Sequence, residues 1–381
     1  MRGAPGDLVE RAIADSEPLP GAREGSRRAI RGFAGRLPDG RLVRDVLGRR
    51  PLFSDAATDD WAFAPDELTA PEPVPAGHVC RPADEPEAAE RVLSLPDPPT
   101  VENAGEAVPD LRRAIRDSLD ELPTEGLAVA FSGGVDSALV ASALDAPLYV
   151  VGFPESHDIE AARRAARPMG REPDLRVVEL AIADLERAVP ELARAIGRTN
   201  AMDVQIALPL YLAARRAAAD GFERLAVGQG ADELFGGYAK VARAPEDPRV
   251  EADTVRGATR EVIRTLPDQL ARDVLTLRAA GVEPVAPLLD DRVVRSALEL
   301  PGELLVDDRG ERKKALRLAA RAFVPDAVAF REKKAVQYGS LVARELDRLA
   351  RQAGFKRRMV DHVSKYVASR VGSTDDPADS R

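Results

Sequence analysis

Residues 105–230 alternate between short apolar runs and longer segments in which apolar side chains recur every three or four positions. The apolar runs are typical of strands that are buried on both faces of a sheet, and they fall at 127–131, 147–153, 176–180 and 224–228. The periodic segments predict helices at 134–144, 158–169, 183–196 and 209–221. Because strand and helix alternate, the pattern predicts an α/β fold in which helices cover both faces of a parallel sheet.

Proline and acidic residues separate this part of the chain from a shorter N-terminal part. They are concentrated between Pro65 and Pro99, where proline disfavours both helices and central strands. Short strand-like segments and turn signals before them predict a small β-rich unit. We therefore expect a β-rich domain at 1–80, a proline-rich linker at 81–104, an α/β domain at 105–350 and a partly disordered tail at 351–381.

Composition narrows the class of protein and of partner. Of the 381 residues, 44% are hydrophobic and 31% are charged, and no run approaches the roughly 18 apolar residues of a membrane helix. The first residues lack the apolar core of a secretory signal, so we expect a cytoplasmic protein. A net charge of −9 disfavours broad contact with nucleic acid or an anionic membrane, which leaves small molecules as the favoured substrates. The single cysteine, Cys80, can form neither an internal disulfide nor a thiolate cluster.

The strongest candidate for chemistry is the loop SGGVDS, which runs from Ser132 to Ser137 between a predicted strand and a predicted helix. Backbone N–H groups and the positive end of a helix dipole meet there, and together they favour a phosphate. Gly133 and Gly134 let the backbone approach a ligand closely, and the two serines offer hydroxyl donors. Asp136 would repel a bare phosphate, so it indicates either a bridging Mg²⁺ or the capping of exposed N–H groups.

A second glycine-rich loop, VGQGADELFGGY at 227–238, follows the last of the predicted strands. It carries the carboxylate pair Asp232 and Glu233 among several glycines, of which Gly228 and Gly230 come first. An isolated acidic pair is usually a solvated surface, but glycines at this density favour a backbone folded around a ligand. Ligands of parallel α/β sheets bind beyond the carboxyl ends of the strands, so we expect both loops to open onto one cleft. Asp232 is then a candidate for binding Mg²⁺ and pyrophosphate.

Lysines are concentrated in one short stretch of the chain. Four of the seven lysines lie there, namely Lys313, Lys314, Lys333 and Lys334, whereas the other basic residues are almost all arginine. Ammonium groups gathered in this way can stabilise the negative charge that develops when pyrophosphate leaves. The alternative is a pair of exposed basic helix faces.

These motifs, in this order, resemble the synthetase domain of the asparagine synthetases and the related β-lactam synthetases, which are PP-loop ATP pyrophosphatases. The resemblance continues through VGFPESHDIEAA at 151–162, RDVLTLRAAGVEPVAPLLD at 272–290 and the lysine-bearing segment at 311–340. It covers residues 105–345. The loop SGGVDS lacks the lysine of the GxxxxGK[ST] phosphate loop and is similar to the PP-loop instead.

The resemblance implies that a carboxylate, with aspartate as the leading candidate, reacts with ATP to give an acyl-adenylate that ammonia then attacks. It assigns catalysis to Lys333, with Lys334 as a rival for the place of that lysine, and we add Asp232 and Glu233 of the acidic loop as catalytic candidates. Mg²⁺ would be bound by Asp136 and Asp232. ATP binding is assigned to Ser132, Gly133, Gly134, Asp136, Ser137, Gly152, Asp158, Gly228, Gly230, Lys313 and Arg317.

Two departures from the family pattern leave the acceptor of the acyl group open. Gln229 stands where asparagine synthetases have a glutamate, and an amide cannot act as a general base. The chain must therefore do without that base, use Glu233, or run a different second step. Arg2 stands where glutamine-dependent members begin with a nucleophilic cysteine. Residues 31–53 still resemble the second half of that glutaminase domain, so we interpret 1–80 as a reduced remnant that packs against the synthetase domain.

We accordingly expect the nitrogen donor to be ammonia, either free or supplied by a separate partner. One alternative is a PP-loop ligase that acts on another carboxylate or on a nucleoside in RNA. Another is a catalytically reduced subunit that binds nucleotide and serves regulation. The retention of Ser132, Asp136, Asp232 and Lys333 weighs against the second alternative, because a protein without turnover has no need of a complete pyrophosphate site.

Overall fold

A computed structural model describes residues 1–23, 28–82, 88–101, 103–122, 124–244, 246–331 and 340–372. Its N-terminal part consists of helix α1 (Gly6–Ala14) and a set of short strands. The strands are β1 (Ala34–Arg36), β2 (Leu42–Arg44), β3 (Phe53–Asp55), β4 (Trp61–Ala62), β5 (Pro71–Pro73), β6 (His78–Cys80) and β7 (Glu90–Arg91). They form two antiparallel sheets, in the orders β1-β2-β6-β7 and β4-β3-β5.

Strand β7 lies inside the segment that the sequence pattern predicts to be a linker. Arg91 of β7 pairs with His78 of β6, so this part of the segment belongs to the N-terminal sheet. The strand is only two residues long and lies among prolines, so the sequence has no alternating pattern that would predict it.

The central sheet confirms the predicted α/β class. Five strands run parallel to one another: β8 (Leu127–Ala130), β9 (Leu148–Gly152), β10 (Leu175–Glu179), β11 (Arg224–Ala226) and β12 (Glu283–Val285). Their order across the sheet is β10-β9-β8-β11-β12. The first four match the apolar runs of the sequence. Strands β8, β9 and β11 are mostly buried, as such runs predict, whereas the edge strand β10 is half-exposed.

The fifth strand, β12, is not predicted by the hydrophobic pattern. It contains Pro284, which has no N–H for a neighbouring strand and therefore disfavours a central position in a sheet. Within the described sheet, β12 is an edge strand that pairs with β11 alone. The edge position is what makes the proline compatible with pairing.

The remaining helices connect and cover these strands. In chain order they are α2 (Ala104–Asp120), α3 (Val135–Ser142), α4 (His157–Ala166), α5 (Ile182–Ile196), α6 (Ala201–Ala219), α7 (Ala231–Leu234), α8 (Ala239–Ala242), α9 (Val255–Ile263), α10 (Leu266–Ala279), α11 (Asp291–Leu298), α12 (Gly302–Leu305), α13 (Lys314–Ala320), α14 (Asp326–Ala329), α15 (Val342–Gln352) and α16 (His362–Gly372).

Helix α6 corrects one predicted boundary. The pattern places its start at residue 209, because a proline is most often found in the first turn of a helix. The helix instead begins at Ala201, where the Asn200 side chain accepts a hydrogen bond from the N–H of Asp203. Pro209 therefore lies inside the helix, at a buried position beside the cleft described below.

The sheet separates two hydrophobic cores, as helices on both faces require. Along β8 and the residue after it, Leu127, Val129 and Phe131 belong to one core, and Ala128 belongs to the other. Successive side chains of a strand point to opposite faces, so the two cores lie on opposite sides of the sheet. Helices α2, α3, α11 and α13 contribute to the first core, and helices α5, α6, α10 and α16 contribute to the second.

The N-terminal part packs against the α/β part through apolar and charged contacts. Leu19 and Leu47 are buried in the first of the two large cores. The guanidinium of Arg49 is buried between the carboxylates of Asp45, at 2.8 Å, and Asp291, at 2.6 Å. Asp45 comes from the N-terminal part and Asp291 from α11, so this buried ion pair fastens the two parts together.

At the other end of the chain, helix α16 lies within the predicted tail and is packed. Its Val363, Tyr366 and Val367 are buried in the second core. Residues 373–381, where the sequence predicts disorder, lie outside the described residues. No helix in the described ranges is both long enough and apolar enough to cross a membrane.

Candidate active site

A cleft of about 500 Å³ opens at the carboxyl ends of β8 and β11. Strands β8 and β11 are neighbours in the sheet, and the strand order reverses between them. Strands β9 and β10 lie on the side of β8, and β12 lies on the side of β11. Parallel α/β sheets bind their ligands at such a point. Both glycine-rich loops line this cleft, and its volume lies in the range of small-molecule sites.

The loop that follows β8 is a compact turn closed by serine hydroxyls. Ser137 Oγ accepts a hydrogen bond from the Ser132 N–H at 3.2 Å and donates one to the Gly134 carbonyl at 3.2 Å. Gly133 has a φ of +73°, and a Cβ on it would lie 2.5 Å from the carbonyl oxygen of Ala161. Glycine is therefore required here both by the left-handed backbone and by the contact with α4.

Lys313 joins the two loops. Its ammonium Nζ lies 2.7 Å from Asp136 Oδ2 in the first loop and 2.8 Å from Asp232 Oδ1 in the second. Burial alone would lower the pKa of Lys313, but the two carboxylates outweigh burial and raise it, so the ammonium stays charged. Both carboxylates to which the sequence assigns a metal thus contact one buried cation.

The backbone around this cation is shaped to bring the three charges together. Lys313 itself has a φ of +60°, an uncommon conformation for a residue other than glycine. A Cβ on Gly237 would collide with the Asp232 carboxylate and with the Lys313 side chain, and one on Gly228 would lie 2.8 Å from Asp136 Cβ. Strained backbone of this kind is concentrated at functional sites.

Glu233 is buried next to Asp232 and is bound to a tyrosine. The Tyr238 hydroxyl donates a hydrogen bond to Glu233 Oε1 at 2.6 Å. Burial, reinforced by the charge of Asp232, raises the pKa of Glu233 to about 7. Burial and the nearby carboxylate also raise the pKa of Tyr238, so its hydroxyl keeps its proton. A carboxyl group with a pKa near 7 can take up or release a proton at neutral pH.

Gln229 takes part in a network of buried charges beside the cleft. Its Nε2 donates to Asp273 Oδ2 at 2.7 Å, and Arg272 Nε donates to Asp273 Oδ1 at 2.7 Å. Arg272 Nη1 also binds Asp203 at 3.0 Å, as does Arg198 Nη1. Burial would raise the pKa of Asp203, but the hydrogen bonds it accepts outweigh burial and keep the pKa below its usual range. The Gln229 side chain is therefore held by a second residue rather than left to rotate.

Arg317 lines the cleft, but its guanidinium binds backbone. Its Nη1 donates to the carbonyls of Ala329, at 2.8 Å, and Arg331, at 3.1 Å, and its Nε donates to the carbonyl of Arg312 at 2.9 Å. The side chains of Arg312 and Arg331 line the cleft as well. Arg317 thus holds in place the two segments that bring further guanidinium groups to the cleft.

The other predicted residues differ in their placement. Asp158 is buried in the first turn of α4 and lines the cleft, and Gly230 lines it with a φ of +87°. Gly152 ends β9 away from the lining, and the Ser156 side chain fills the space that a Cβ would need. Lys333 and Lys334, predicted to reach the adenylate, lie outside the described residues.

Sequence reasoning did not assign Tyr238, Arg272 or Asp273 to the site, although all three line the cleft. A signal for the last two exists. They are an adjacent pair of opposite charges between the apolar pairs Leu270–Ala271 and Val274–Leu275, and charged residues are seldom buried unless they are paired. For Tyr238 the sequence offers only its place at the end of the second loop.

Comparison with known proteins agrees with this geometry. The family model for asparagine synthase matches residues 110–254 and 245–367, which make up more than half of the chain. A protein of Methanocaldococcus jannaschii that carries the provisional name asparagine synthetase 1 is 31% identical over 277 residues, 64% of this chain and 51% of that protein. Asparagine synthetase B of Escherichia coli is 25% identical over 247 residues, 59% and 44% of the two chains.

A third relative, asparagine synthetase 3 of Arabidopsis thaliana, is 25% identical over 332 residues, 77% of this chain and 55% of that protein. All three are named as glutamine-hydrolyzing, and the chain spans about half of their length. The family match covers the central sheet, both glycine-rich loops and Lys313. The family predicted from the motifs is thereby confirmed, and the chain belongs to the asparagine synthase family.

Proposed function

We propose that the protein uses ATP to activate a carboxylate as an acyl-adenylate. The observation that carries this proposal is the buried ammonium of Lys313, held between Asp136 and Asp232 where a PP-loop meets an acidic glycine-rich loop. A carboxylate oxygen of the substrate would attack the α-phosphorus of ATP, and the bond between the α-phosphorus and the bridging oxygen would break. The departing pyrophosphate gathers negative charge, which a positioned ammonium group stabilises.

Asp136 and Asp232 also fit the Mg²⁺ that the family implies. Their carboxylates converge on a single cation, and Mg²⁺ in nucleotide sites is bound by one or two carboxylates together with phosphate oxygens. Within the described ranges, no group of three or more His, Cys, Asp or Glu side chains is placed to hold a metal, so phosphate oxygens would complete the shell. Mg²⁺ held there would neutralise charge on the phosphates.

Aspartate is the proposed acid, because the relatives to which the chain is similar are named as asparagine synthetases, and ammonia is the proposed nitrogen donor. The nitrogen would attack the acyl carbon, AMP would leave, and a proton would pass from nitrogen to a base. The Gln229 amide cannot accept that proton, whereas Glu233, with its pKa of about 7, can. Glutamine is not the proposed donor, because Cys80, the single cysteine of this chain, is buried in an apolar cluster.

Product analysis tests this function. The protein is incubated with ATP, Mg²⁺ and aspartate, with either ammonium or glutamine, and the products are identified by mass spectrometry. We expect AMP, pyrophosphate and asparagine with ammonium. Formation of ADP, or the absence of any aspartate-dependent product, would contradict the assignment, and a panel of other acids would then identify the substrate. Asparagine formed equally well from glutamine would overturn ammonia as the donor.

A pair of variants ties the products to the site. Asp232→Asn removes one of the carboxylates that bind Lys313, and Asp308→Asn makes the same change at an exposed position. We expect product formation to fall by about a hundredfold in the first variant and to be unchanged in the second. Equal activity in the two variants would separate the observed reaction from this cleft.

A further inference from the structure

A second cavity, of about 260 Å³, adjoins the cleft. It lies between the N-terminal part and the α/β part, and the side chains of Gln229 and Leu270 line both cavities. We call it the arginine chamber, because its charged lining residues, within the described part of the chain, are Arg31, Arg49, Arg50 and Arg278. Apart from Gln229, the rest of the lining is glycine and apolar side chains.

The carboxylates that partner these arginines stand outside the chamber. Arg49 is held by Asp45 and Asp291, Arg278 Nε lies 3.0 Å from Glu283, and Arg31 lies 3.8 Å from Asp290. None of these acids lines the cavity. The described lining therefore carries guanidinium groups and no carboxylate, and guanidinium groups are suited to bind an anion.

Arg50 is the least compensated of the four. Among the described residues it makes no ion pair, and its Nε donates to the Gly32 carbonyl at 3.2 Å. Burial, together with the nearby Arg278, lowers the pKa of Arg50. The free protein thus holds this guanidinium in surroundings that disfavour its charge, and a bound anion would remove the penalty.

Three of the lining arginines also carry a buried donor that is not used. Arg31 Nε, Arg49 Nη2 and Arg278 Nη1 are buried and have no hydrogen-bond acceptor within the described ranges. Buried N–H groups in native proteins are almost always paired. Three such groups lie on residues that line one cavity, although the nitrogen atoms themselves have almost no accessible surface in the free protein.

We propose that the arginine chamber binds a small carboxylate with a short carbon skeleton. The guanidinium fork matches the geometry of a carboxylate, and walls such as Val274 and Leu289 suit a carbon skeleton better than they suit inorganic phosphate. Gln229 uses Nε2 to bind Asp273, so its side-chain carbonyl oxygen is available to accept a hydrogen bond where the residue lines both cavities. The same chemistry would recognise either a substrate of the ligase or an effector of it.

Isothermal titration calorimetry of the full chain with succinate, in the absence of ATP, tests the site. Arg50→Gln removes one guanidinium, and Arg187→Gln makes the same change on an exposed part of α5 that lines neither cavity. We expect Arg50→Gln to raise the Kd for succinate about tenfold or more and Arg187→Gln to leave it unchanged. The neutral analogue succinamide should not bind.

Several results would overturn the proposal. They are no binding of succinate, equal affinity in Arg50→Gln and the unchanged protein, or tighter binding of inorganic phosphate. If Arg50→Gln does not fold by circular dichroism, Arg278→Gln replaces it, because the partner Glu283 is 55% exposed and tolerates the loss of its cation. These measurements need no nucleotide, so they stand even if the proposed adenylation fails.

Exchange of pyrophosphate into ATP distinguishes the two sources of the carboxylate. If the chamber holds part of the acid substrate, succinate should raise the KM for aspartate and leave kcat unchanged. If it holds an effector, succinate should change kcat at saturating aspartate. Succinate that binds by calorimetry but alters neither parameter would refute the link between the chamber and the active cleft.

Discussion

Replacing Lys313 with methionine removes the ammonium that joins the two loops and keeps most of the length of the side chain. Asp136 and Asp232 would then face one another without the cation between them. Removing one partner of a buried ion pair costs about 3–5 kcal/mol. Asp232 is 51% exposed, so water takes over part of the lost interaction. We therefore expect Lys313→Met to lower the free energy of unfolding by about 3 kcal/mol, at the lower end of that range.

Lys314→Met is the matched control, because it makes the same change at the next position. Lys314 begins α13 and makes no ion pair with any described residue, so we expect a change within about 0.5 kcal/mol. Urea unfolding of the ligand-free variants, followed by circular dichroism, gives both values. Equal stability of the two variants would refute the structural role assigned to the Lys313 ammonium.

The same variant has a second consequence, for cation binding. In the unchanged protein Lys313 occupies the two carboxylates that would hold Mg²⁺, so the ion must compete with the ammonium. In Lys313→Met that competition is absent. We expect Mg²⁺ alone to raise the melting temperature of the variant more than that of the unchanged protein, although turnover should fall by about 10²–10³. An equal rise in both proteins would show that Mg²⁺ binds elsewhere.

Three further predictions concern pH, backbone and network. The pKa of Glu233 is raised to about 7, so the unfolded chain loses this proton at lower pH than the folded chain. Urea unfolding should therefore show the free energy of unfolding falling by roughly 3 kcal/mol between pH 4.5 and pH 7. Glu233→Gln should remove this contribution to the pH dependence. Gly133→Ala should cost at least about 2 kcal/mol in thermal unfolding, because a Cβ meets backbone there, whereas Gly170→Ala, with a similar φ and open space, should cost about 1 kcal/mol. Asp273→Asn should cost about 2–3 kcal/mol in urea unfolding, because it leaves the buried charge of Arg272 with one carboxylate fewer.

For each of these three predictions, one result would contradict the stated reason. A pH profile that is the same in Glu233→Gln and the unchanged protein would mean that the pKa of this carboxyl group is the same in the folded and the unfolded chain. Equal costs for the two glycine variants would mean that conformation alone, and not the contact with α4, requires Gly133. A stable Asp273→Asn would mean that the buried charge of Arg272 does not depend on Asp273.

The fold is predictable from the sequence wherever burial alone decides the pattern. Four of the five parallel strands coincide with apolar runs, of which β8, β9 and β11 are mostly buried, whereas the edge strand β10 is half-exposed. The pattern fails at Pro284 and Pro209, where the local preference of proline is overridden by an edge position in the sheet and by helical packing. Tertiary context of this kind is not encoded in a window of a few residues.

The site is predictable where the chemistry of a loop is local and not where it depends on distant partners. The turn at Ser132 to Ser137 follows from its own glycines and serines. The contact of Lys313 with Asp136 joins positions 177 residues apart, so only the fold reveals it. For Arg317 the prediction from the sequence and the observed contacts differ. Its positive charge predicts a phosphate ligand, but its guanidinium donates to backbone carbonyls in the structure.

Exchange of labelled pyrophosphate into ATP is the most direct test of the central claim, which is that the cleft around Lys313 forms an acyl-adenylate. With Mg²⁺ and aspartate we expect exchange that depends on the acid. The exchange rate should fall about a hundredfold in Lys313→Met and be unchanged in Lys314→Met. Exchange that proceeds equally without any acid, or that is absent with every acid tested, would contradict the account.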